Sequence, residues 1–232
     1  LCQGVVTWKT TSSNGHTYSM CYPCNECRTP LGLHRCFGNL SSDKETAKSL
    51  YKAILARLET RPAKDDENAP ARGQLRALVA DPTGSEKSVF LTGPVGTGKT
   101  FLGMHALAAC VKTNGSSCFY LPEHIAILAW RSSHDIKNPA NVKWGNAVME
   151  RSRTAKVLMI DDFGQTRNTS DGALDAIDAI IMHRYDSGLN VIVTSNRSID
   201  ALEEARGHRV VSRLAGMTGG SVVHCTGKDW RA

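Results

Sequence analysis

The sequence contains no uninterrupted stretch of about 20 apolar residues, which a membrane-spanning helix would need, and no signal peptide. It also lacks internal repeats and long low-complexity segments. These absences argue against a membrane protein, a secreted protein and a repeat array, and we expect a cytoplasmic location. Because the chain begins at Leu1 rather than Met, we also expect residues to be missing upstream.

The composition is that of a globular protein: 232 residues, 41% hydrophobic, with a mean hydropathy of −0.27. This length suits one sizeable domain with a small appendage. The formal charge of +6 is modest, but residues 131–156 hold six Lys and Arg against two Asp and Glu. A basic strip of this kind can contact nucleic-acid phosphates, and a solvated helix face explains it equally well. The six cations are Arg131, Lys137, Lys143, Arg151, Arg153 and Lys156.

The most informative segment runs from Gly93 to Thr100 and reads Gly-Pro-Val-Gly-Thr-Gly-Lys-Thr. It follows an apolar strand-like run, Ser88 to Leu91, and opens a helix-like run, Phe101 to Val111. This order of strand, phosphate loop and helix is typical of a nucleoside triphosphatase. We predict that Lys99 contacts the β- and γ-phosphates and that the Thr100 hydroxyl binds Mg²⁺. The predicted nucleotide contacts are Gly93, Pro94, Val95, Gly96, Thr97, Gly98, Lys99, Thr100 and Phe101.

Polar residues follow two further apolar runs. Asp161 and Asp162 come directly after Val157 to Ile160, and Asn196 comes shortly after Val191 to Thr194. Since the carboxyl ends of parallel strands meet at one edge of a sheet, these side chains should lie near the phosphates. We predict that Asp161 organises Mg²⁺, mostly through water. Asp162 would then polarise the attacking water, and Asn196 would hold it against the γ-phosphate.

Strand-like and helix-like segments alternate from residue 87 onwards, which predicts an α/β fold with a mostly parallel sheet covered by helices. The predicted strands are Ser88–Leu91, Cys118–Leu121, Val157–Ile160, Val191–Thr194 and Val222–Cys225, and the clearest helix is Ala173–Arg184. Upstream, a capping-box pattern of Ser42 and Glu45 predicts a helix to about Glu59. A polar linker, Arg61–Arg72, and a short helix, Gln74–Ala80, should follow.

Five of the eight cysteines lie in the first 36 residues, which have little apolar periodicity. Beside a nucleotide-binding domain, which implies a reducing compartment, such clustering favours a metal over disulfides. Tetrahedral zinc takes four N or S ligands, and we predict a zinc site formed by Cys2, Cys21, Cys24 and Cys27. His16, His34, Cys36 or an upstream cysteine are alternatives for one ligand. We therefore divide the chain into a zinc-binding region (1–40), a helix and linker (41–72) and an ATPase domain (73–232).

The order of the motifs resembles that of the AAA+ ATPases of the DnaC/DnaI helicase-loader and IstB family, including phage members. The resemblance covers about residues 33–232 and rests on Gly93–Thr100, Val157–Gly164, His183–Tyr185, Thr194–Asn196, Ser212–Leu214 and Gly227–Arg231. It implies a five-stranded sheet, no full helical lid, and an ATP site completed by a neighbouring subunit of a homo-oligomer. Arg213 matches the family's arginine-finger position, which reaches the neighbour's γ-phosphate. Arg184, Arg209 and Arg231 are weaker candidates for contacts of this kind.

The resemblance also implies a function. We expect a Mg²⁺-dependent ATPase that oligomerises on ATP, binds single-stranded DNA and delivers a replicative helicase for DNA replication. Turnover should be slow, because Asp162 stands where many relatives have the longer Glu. We also expect DNA to stimulate it. The alternatives are an IstB-like ATPase that remodels duplex DNA for a transposase, and a non-enzymatic adaptor whose nucleotide site only locks a conformation.

Overall fold

The structure is a computed structural model, and it describes residues 5–11, 17–23, 32–38, 40–59, 68–114, 117–166, 170–227 and 229. Two N-terminal strands, β1 (Val5–Thr11) and β2 (Thr17–Pro23), pair antiparallel in a separate sheet. The remaining strands are β3 (Val89–Thr92), β4 (Cys118–Pro122), β5 (Val157–Asp161), β6 (Asn190–Ser195) and β7 (Val222–His224). They form one parallel sheet in the order β4-β5-β6-β3-β7, which confirms the predicted sheet.

Every residue of strands β3 to β6 is buried, which explains why their sequences are continuous apolar runs. Parallel pairing aligns the ends of neighbouring strands. Thr92 lies opposite Ser195, and Pro122 lies opposite Asp161. The residues that follow these strands therefore meet at one side of the sheet, which we call the carboxyl edge.

Helices flank this sheet and connect its strands, after a short helical stretch at 32–37. They are α1 (Lys44–Glu59), α2 (Ala69–Ala80), α3 (Lys99–Asn114), α4 (Glu123–Ser133), α5 (Pro139–Thr154), α6 (Asp171–Asp186), α7 (Ile199–Arg206) and α8 (His208–Met217). None of the described helices is long and apolar enough to cross a membrane. The predicted helix within α6 is confirmed and extends slightly at both ends.

The ends of two N-terminal helices differ from the prediction. Helix α1 is capped by Asp43 rather than Ser42, because the Asp43 carboxylate accepts the Thr46 N–H at 2.7 Å. This hydrogen bond lowers the pKa of Asp43 below its ordinary value. Helix α2 begins at Ala69 rather than Gln74, because Pro70 lies in the first turn, where no backbone N–H is needed.

The hydrophobic core extends to the segment before α1. Cys36 and Phe37 are fully buried and belong to the same core as the sheet residues, and the rings of Phe37 and Tyr120 are 5.7 Å apart. This position in the apolar core argues against the alternative that Cys36 binds zinc. Burial raises the pKa of the Cys36 thiol well above its usual range. The proposed domain boundaries stay a prediction.

The predicted zinc ligands lie outside the described side chains. Cys2, Cys24 and Cys27 are outside the described residues altogether, and Cys21 is described only as a backbone position of β2, opposite Thr7. No group of three or more metal-binding side chains occurs among the residues that the structure describes. Zinc binding therefore stays a prediction.

Candidate nucleotide site

The predicted phosphate loop joins β3 to α3, which begins at Lys99. All three of its glycines have positive φ, 134° at Gly93, 84° at Gly96 and 87° at Gly98, which other residues rarely adopt. At Gly93 a Cβ would also overlap the carbonyl oxygen of Cys225, just after β7. Glycine therefore allows the backbone to curl ahead of a helix N-terminus, where backbone N–H groups and the helix dipole bind anions.

The side chain of Lys99 is buried against this loop. Its Nζ donates to the carbonyl oxygens of Gly93 and Pro94 at 2.8 and 2.6 Å, and to Thr97 Oγ1 at 3.3 Å. Charged phosphate oxygens are stronger acceptors for an ammonium group than neutral carbonyls. A bound triphosphate would therefore compete with the loop carbonyls for Lys99.

Asp161, the last residue of β5, is buried and accepts three hydroxyl hydrogen bonds. Its Oδ1 accepts from Thr100 at 2.9 Å and Thr194 at 2.6 Å, and its Oδ2 accepts from Tyr120 at 2.8 Å. The donors come from α3, β6 and β4, so three elements fix one carboxylate. Burial, together with the charge of Asp161, raises the pKa of Tyr120, so its hydroxyl remains protonated and able to donate.

Thr100 and Asp161 fit a magnesium ion. They present oxygen atoms alone, the ligand type that Mg²⁺ takes in proteins. The Thr100 hydroxyl and Asp161 Oδ1 are 2.9 Å apart, so the two residues would hold one Mg²⁺ together, with Asp161 acting mostly through water. Tyr120 and Thr194 would hold the Asp161 carboxylate in place for this role.

Asp162 and Asn196 lie beside Asp161 at the carboxyl edge. The exposed carboxylate of Asp162 is 3.5 Å from Asn196 Nδ2. The backbone N–H of Asp162 donates to Thr194 Oγ1 at 3.0 Å. Asp162 has a φ of 57°, a left-handed conformation that costs a non-glycine residue roughly 1 to 2 kcal/mol. Strain of this kind clusters at functional sites. Five predicted site residues, Lys99, Thr100, Asp161, Asp162 and Asn196, thus share one edge of the sheet.

Arg213 lies on α8, an element that carries none of these five residues. Its guanidinium packs on the Tyr185 ring at 5.0 Å, and its side chain is partly exposed. The Nε atom of Arg213 has no hydrogen-bond partner among the described residues. An arginine finger acts on a neighbouring subunit, and the partial exposure of Arg213 agrees with that role. The role itself stays a prediction.

Arg184 is a structural residue, and its interpretation as a phosphate or interface contact is wrong. Its side chain is fully buried. It donates to the carbonyl oxygens of Ser152, Arg153, Lys156 and Asn190. Since Lys156 precedes β5 and Asn190 begins β6, Arg184 lies at the amino edge of the sheet, opposite the candidate site. Arg209 is exposed on α8, and Arg231 lies outside the described residues.

The roles of Tyr120, Thr194 and Asn68 were not predicted from the sequence. Tyr120 and Thr194 have the signal that identified Asp161, namely a polar side chain near the carboxyl end of a predicted strand. Asn68 was assigned to a polar linker, but it is only 4% exposed. Its Nδ2 donates to the carbonyl oxygens of Thr97 at 3.3 Å and Thr226 at 3.4 Å, which lie 29 and 158 residues away. No local pattern signals contacts of such sequence separation.

The basic strip is only partly accessible for binding. Three cations of the strip are exposed: Arg131 on α4, Lys137 in the turn after it, and Lys143 on α5. Ile136, in the same turn, is 88% exposed. Arg151 instead lies 4.7 Å from the Phe119 ring and donates to the Cys118 carbonyl. Arg151 therefore supports the core. Arg153 is partly exposed at the end of α5 and Lys156 is exposed before β5, so three of the four exposed cations lie in or beside the α4–α5 turn.

The parallel sheet, the phosphate loop after β3, the carboxylates after β5 and the amide after β6 define an AAA+ ATP-binding domain. The chain belongs to the family of IstB-like ATP-binding proteins, whose family model matches residues 40–213. Family and fold thereby confirm the resemblance on which the functional expectations were based.

Two relatives each match about half of this chain. The replicative helicase loader DnaI of Bacillus subtilis is 30% identical over 122 residues, which are 52% of this chain and 37% of DnaI. A Mycobacterium tuberculosis protein, named as an ATP-binding protein in an insertion sequence, is 31% identical over 112 residues, 48% of this chain and 41% of its own length. The chain thus matches about two fifths of the length of each relative.

A solved structure supports the same grouping. The DnaC helicase loader superposes with a TM-score of 0.62 and 25% identity, covering 75% of this chain and 99% of that chain. The likeness therefore includes nearly all of the solved DnaC chain and most of the present one.

Proposed function

We propose that this protein is an ATPase that assembles on ATP, binds single-stranded DNA and delivers a replicative helicase. The observation that carries the proposal is the carboxyl edge, where the phosphate loop and Lys99 adjoin the Thr100–Asp161 pair in a member of an ATP-binding family. Likeness to DnaI and DnaC, both named as helicase loaders, supports the choice of partner.

The proposed hydrolysis assigns different tasks to the two carboxylates. Asp161 is buried, and its oxygens already accept three hydroxyl hydrogen bonds, so it suits a fixed magnesium ligand. A magnesium ion bound there would neutralise phosphate charge. Asp162 is exposed and suits the group that polarises water, while Asn196 orients that water. Because Asp is one methylene shorter than Glu, we expect slow turnover, which suits a switch.

Arg213 would complete the site of a neighbouring subunit. One feature supports this role: its side chain is partly exposed. ATP bound by one subunit would then attract Arg213 of the next, so nucleotide binding would favour assembly. Hydrolysis would remove the γ-phosphate that joins the two subunits and release them.

The exposed part of the basic strip is the proposed DNA contact. Lys137 and Lys143 are exposed, and Arg131 lies on the adjoining helix. The release of counterions drives the binding of cationic side chains to DNA phosphates, so no preformed pocket is required. This surface therefore suits single-stranded DNA without sequence preference.

We further propose that Cys2, Cys21, Cys24 and Cys27 bind one zinc ion and that this region contacts the helicase. A structural zinc site contributes about 10 to 16 kcal/mol, which suffices to order a segment without an apolar core. Metal analysis of the purified protein tests this. About one zinc per chain, lost in Cys21→Ser and Cys24→Ser, is expected. Less than about half an equivalent, with cysteines open to thiol reagents, contradicts the site.

Co-precipitation tests the choice of partner. The chain is immobilised and exposed to a replicative helicase and to a transposase, each with and without ATP. We expect the helicase to be retained, with a dependence on ATP that Lys99→Ala removes. Retention of the transposase alone overturns the helicase proposal.

The second candidate is an ATPase that remodels duplex DNA for a transposase. The IstB-like family model and the insertion-sequence relative favour it. It predicts a preference for bent duplex over single-stranded DNA and no affinity for a helicase.

A further inference from the structure

Beside the nucleotide site lies a buried cluster of charges to which the proposed reaction assigns no task. It consists of Glu123 at the start of α4, Asp178 on α6 and Arg206 at the end of α7. The side chains of Glu123 and Arg206 are 1% and 3% exposed. Buried ion pairs are often less stabilising than apolar side chains of the same size. Stability alone is therefore a weak reason for this cluster.

Glu123 holds the loop that follows Asp161. Its Oε1 accepts the Gly164 N–H at 2.9 Å, and its Oε2 accepts the Thr166 N–H at 3.0 Å. The other side of the loop is bonded to β6, since the Phe163 N–H donates to the Thr194 carbonyl at 2.8 Å. The loop that begins with Asp162 is thus clamped between β6 and Glu123.

Arg206 connects this clamp to the neighbouring helices. Its Nη1 pairs with Glu123 Oε1 at 3.2 Å, and its Nη2 pairs with Asp178. The guanidinium also lies 4.9 Å from the centre of the Phe163 ring, within the clamped loop. Arg206 therefore contacts Phe163 in the loop directly and also contacts Glu123, which holds the loop.

The same guanidinium fixes the surroundings of Arg213. Only Gly207 separates Arg206 from α8, the helix that carries Arg213. Tyr185, on which Arg213 packs, belongs to α6, as does Asp178. Arg206 therefore anchors both the start of the helix with Arg213 and the helix that supports its side chain.

We propose that the Glu123–Arg206 pair is a positioning device. It links the loop of Asp162, which acts on the subunit's own ATP, to Arg213, which acts on the ATP of the neighbour. This inference rests on the proposed function. Neither residue hydrogen-bonds to the phosphate loop in the described part of the chain, so nucleotide affinity should not depend on them.

Glu123→Gln tests the clamp, because it keeps the shape of the side chain but removes its charge and one acceptor. We expect kcat to fall roughly tenfold or more, with the Kd for ATP changed less than about twofold. The matched control is Glu203→Gln, which removes the charge of a partly exposed carboxylate that contacts His208 across the same helix junction and should change neither value. An unchanged kcat, or a parallel loss of affinity, overturns the positioning role.

Mixed oligomers test the link to Arg213. Lys99→Ala subunits donate the arginine but bind no ATP, and Arg213→Ala subunits bind ATP but donate no arginine. Their equal mixture should recover hydrolysis, and a mixture that stays inactive contradicts the shared site itself. Adding Arg206→Met to the Lys99→Ala subunit should lower the recovered rate roughly tenfold. An unchanged recovered rate overturns the link and leaves the shared site intact. Arg206→Lys repeats the test, with the same expected direction, should the Met variant not fold.

Discussion

The hydroxyl of Thr100 donates to Asp161 Oδ1 at 2.9 Å, although 61 residues separate the two in sequence. This hydrogen bond joins the first turn after the phosphate loop to the end of a buried strand. The two oxygen ligands proposed for magnesium are therefore paired by the fold itself.

Nucleotide binding and hydrolysis can be perturbed separately, because the phosphate loop and Asp162 lie on different elements.

Lys99→Ala should weaken ATP binding about a hundredfold or more, since two unit charges about 4 Å apart interact by roughly 4 kcal/mol at an effective dielectric of 20. Titration calorimetry measures the effect. Lys112→Ala is the control, because Lys112 is exposed at the other end of the same helix. Equal ATP affinity of the Lys99 variant and the wild type would contradict the proposal that the phosphate loop binds ATP.

Tyr120→Phe should lower kcat about tenfold, because a hydrogen bond to a charged group contributes roughly 1.5 to 3 kcal/mol and part of this loss is regained by relaxation. The variant should also need a higher magnesium concentration than the wild type for half-maximal activity, which a magnesium titration of the hydrolysis rate measures. Tyr51→Phe, which leaves Asp161 untouched, serves as the control. Wild-type kinetics in the Tyr120 variant would show that this hydroxyl does not position Asp161.

Arg213→Ala should leave ATP binding intact and lower DNA-stimulated hydrolysis about a thousandfold, the scale on which arginine fingers act. Binding and single-turnover hydrolysis are measured on the same preparation. Arg209→Ala, an exposed change on the same helix, tests the weaker candidate and should have little effect. A fully active Arg213 variant would reject the trans role.

The double variant Lys137→Ala and Lys143→Ala should weaken binding to single-stranded DNA. It should also reduce the slope of log affinity against log salt by about 0.7 for each DNA phosphate that is no longer neutralised. The control removes two exposed lysines of α1, Lys48 and Lys52. Equally weakened binding in both double variants would point to overall charge rather than to the α4–α5 turn.

The residues that sequence analysis identified share one property. Asp161 and Asn196 lie at or just after the ends of apolar strands, and Lys99 ends a glycine-rich loop that follows another strand, so local pattern and the geometry of parallel sheets suffice to bring them together. Arg184 was misjudged because burial at the amino edge depends on carbonyl groups from three other segments. Glu123 and Arg206 were missed for the same reason, since 83 residues separate them and each is an ordinary helix-terminal charge in sequence.

An ATP site shared between subunits makes hydrolysis depend on assembly, so we would measure the specific rate of ATP hydrolysis against protein concentration. With saturating ATP and single-stranded DNA, the rate per subunit should rise with concentration until the oligomer is complete. In Arg213→Ala it should stay low at every concentration. A rate per subunit that is constant on dilution and equal in the two proteins would contradict the account.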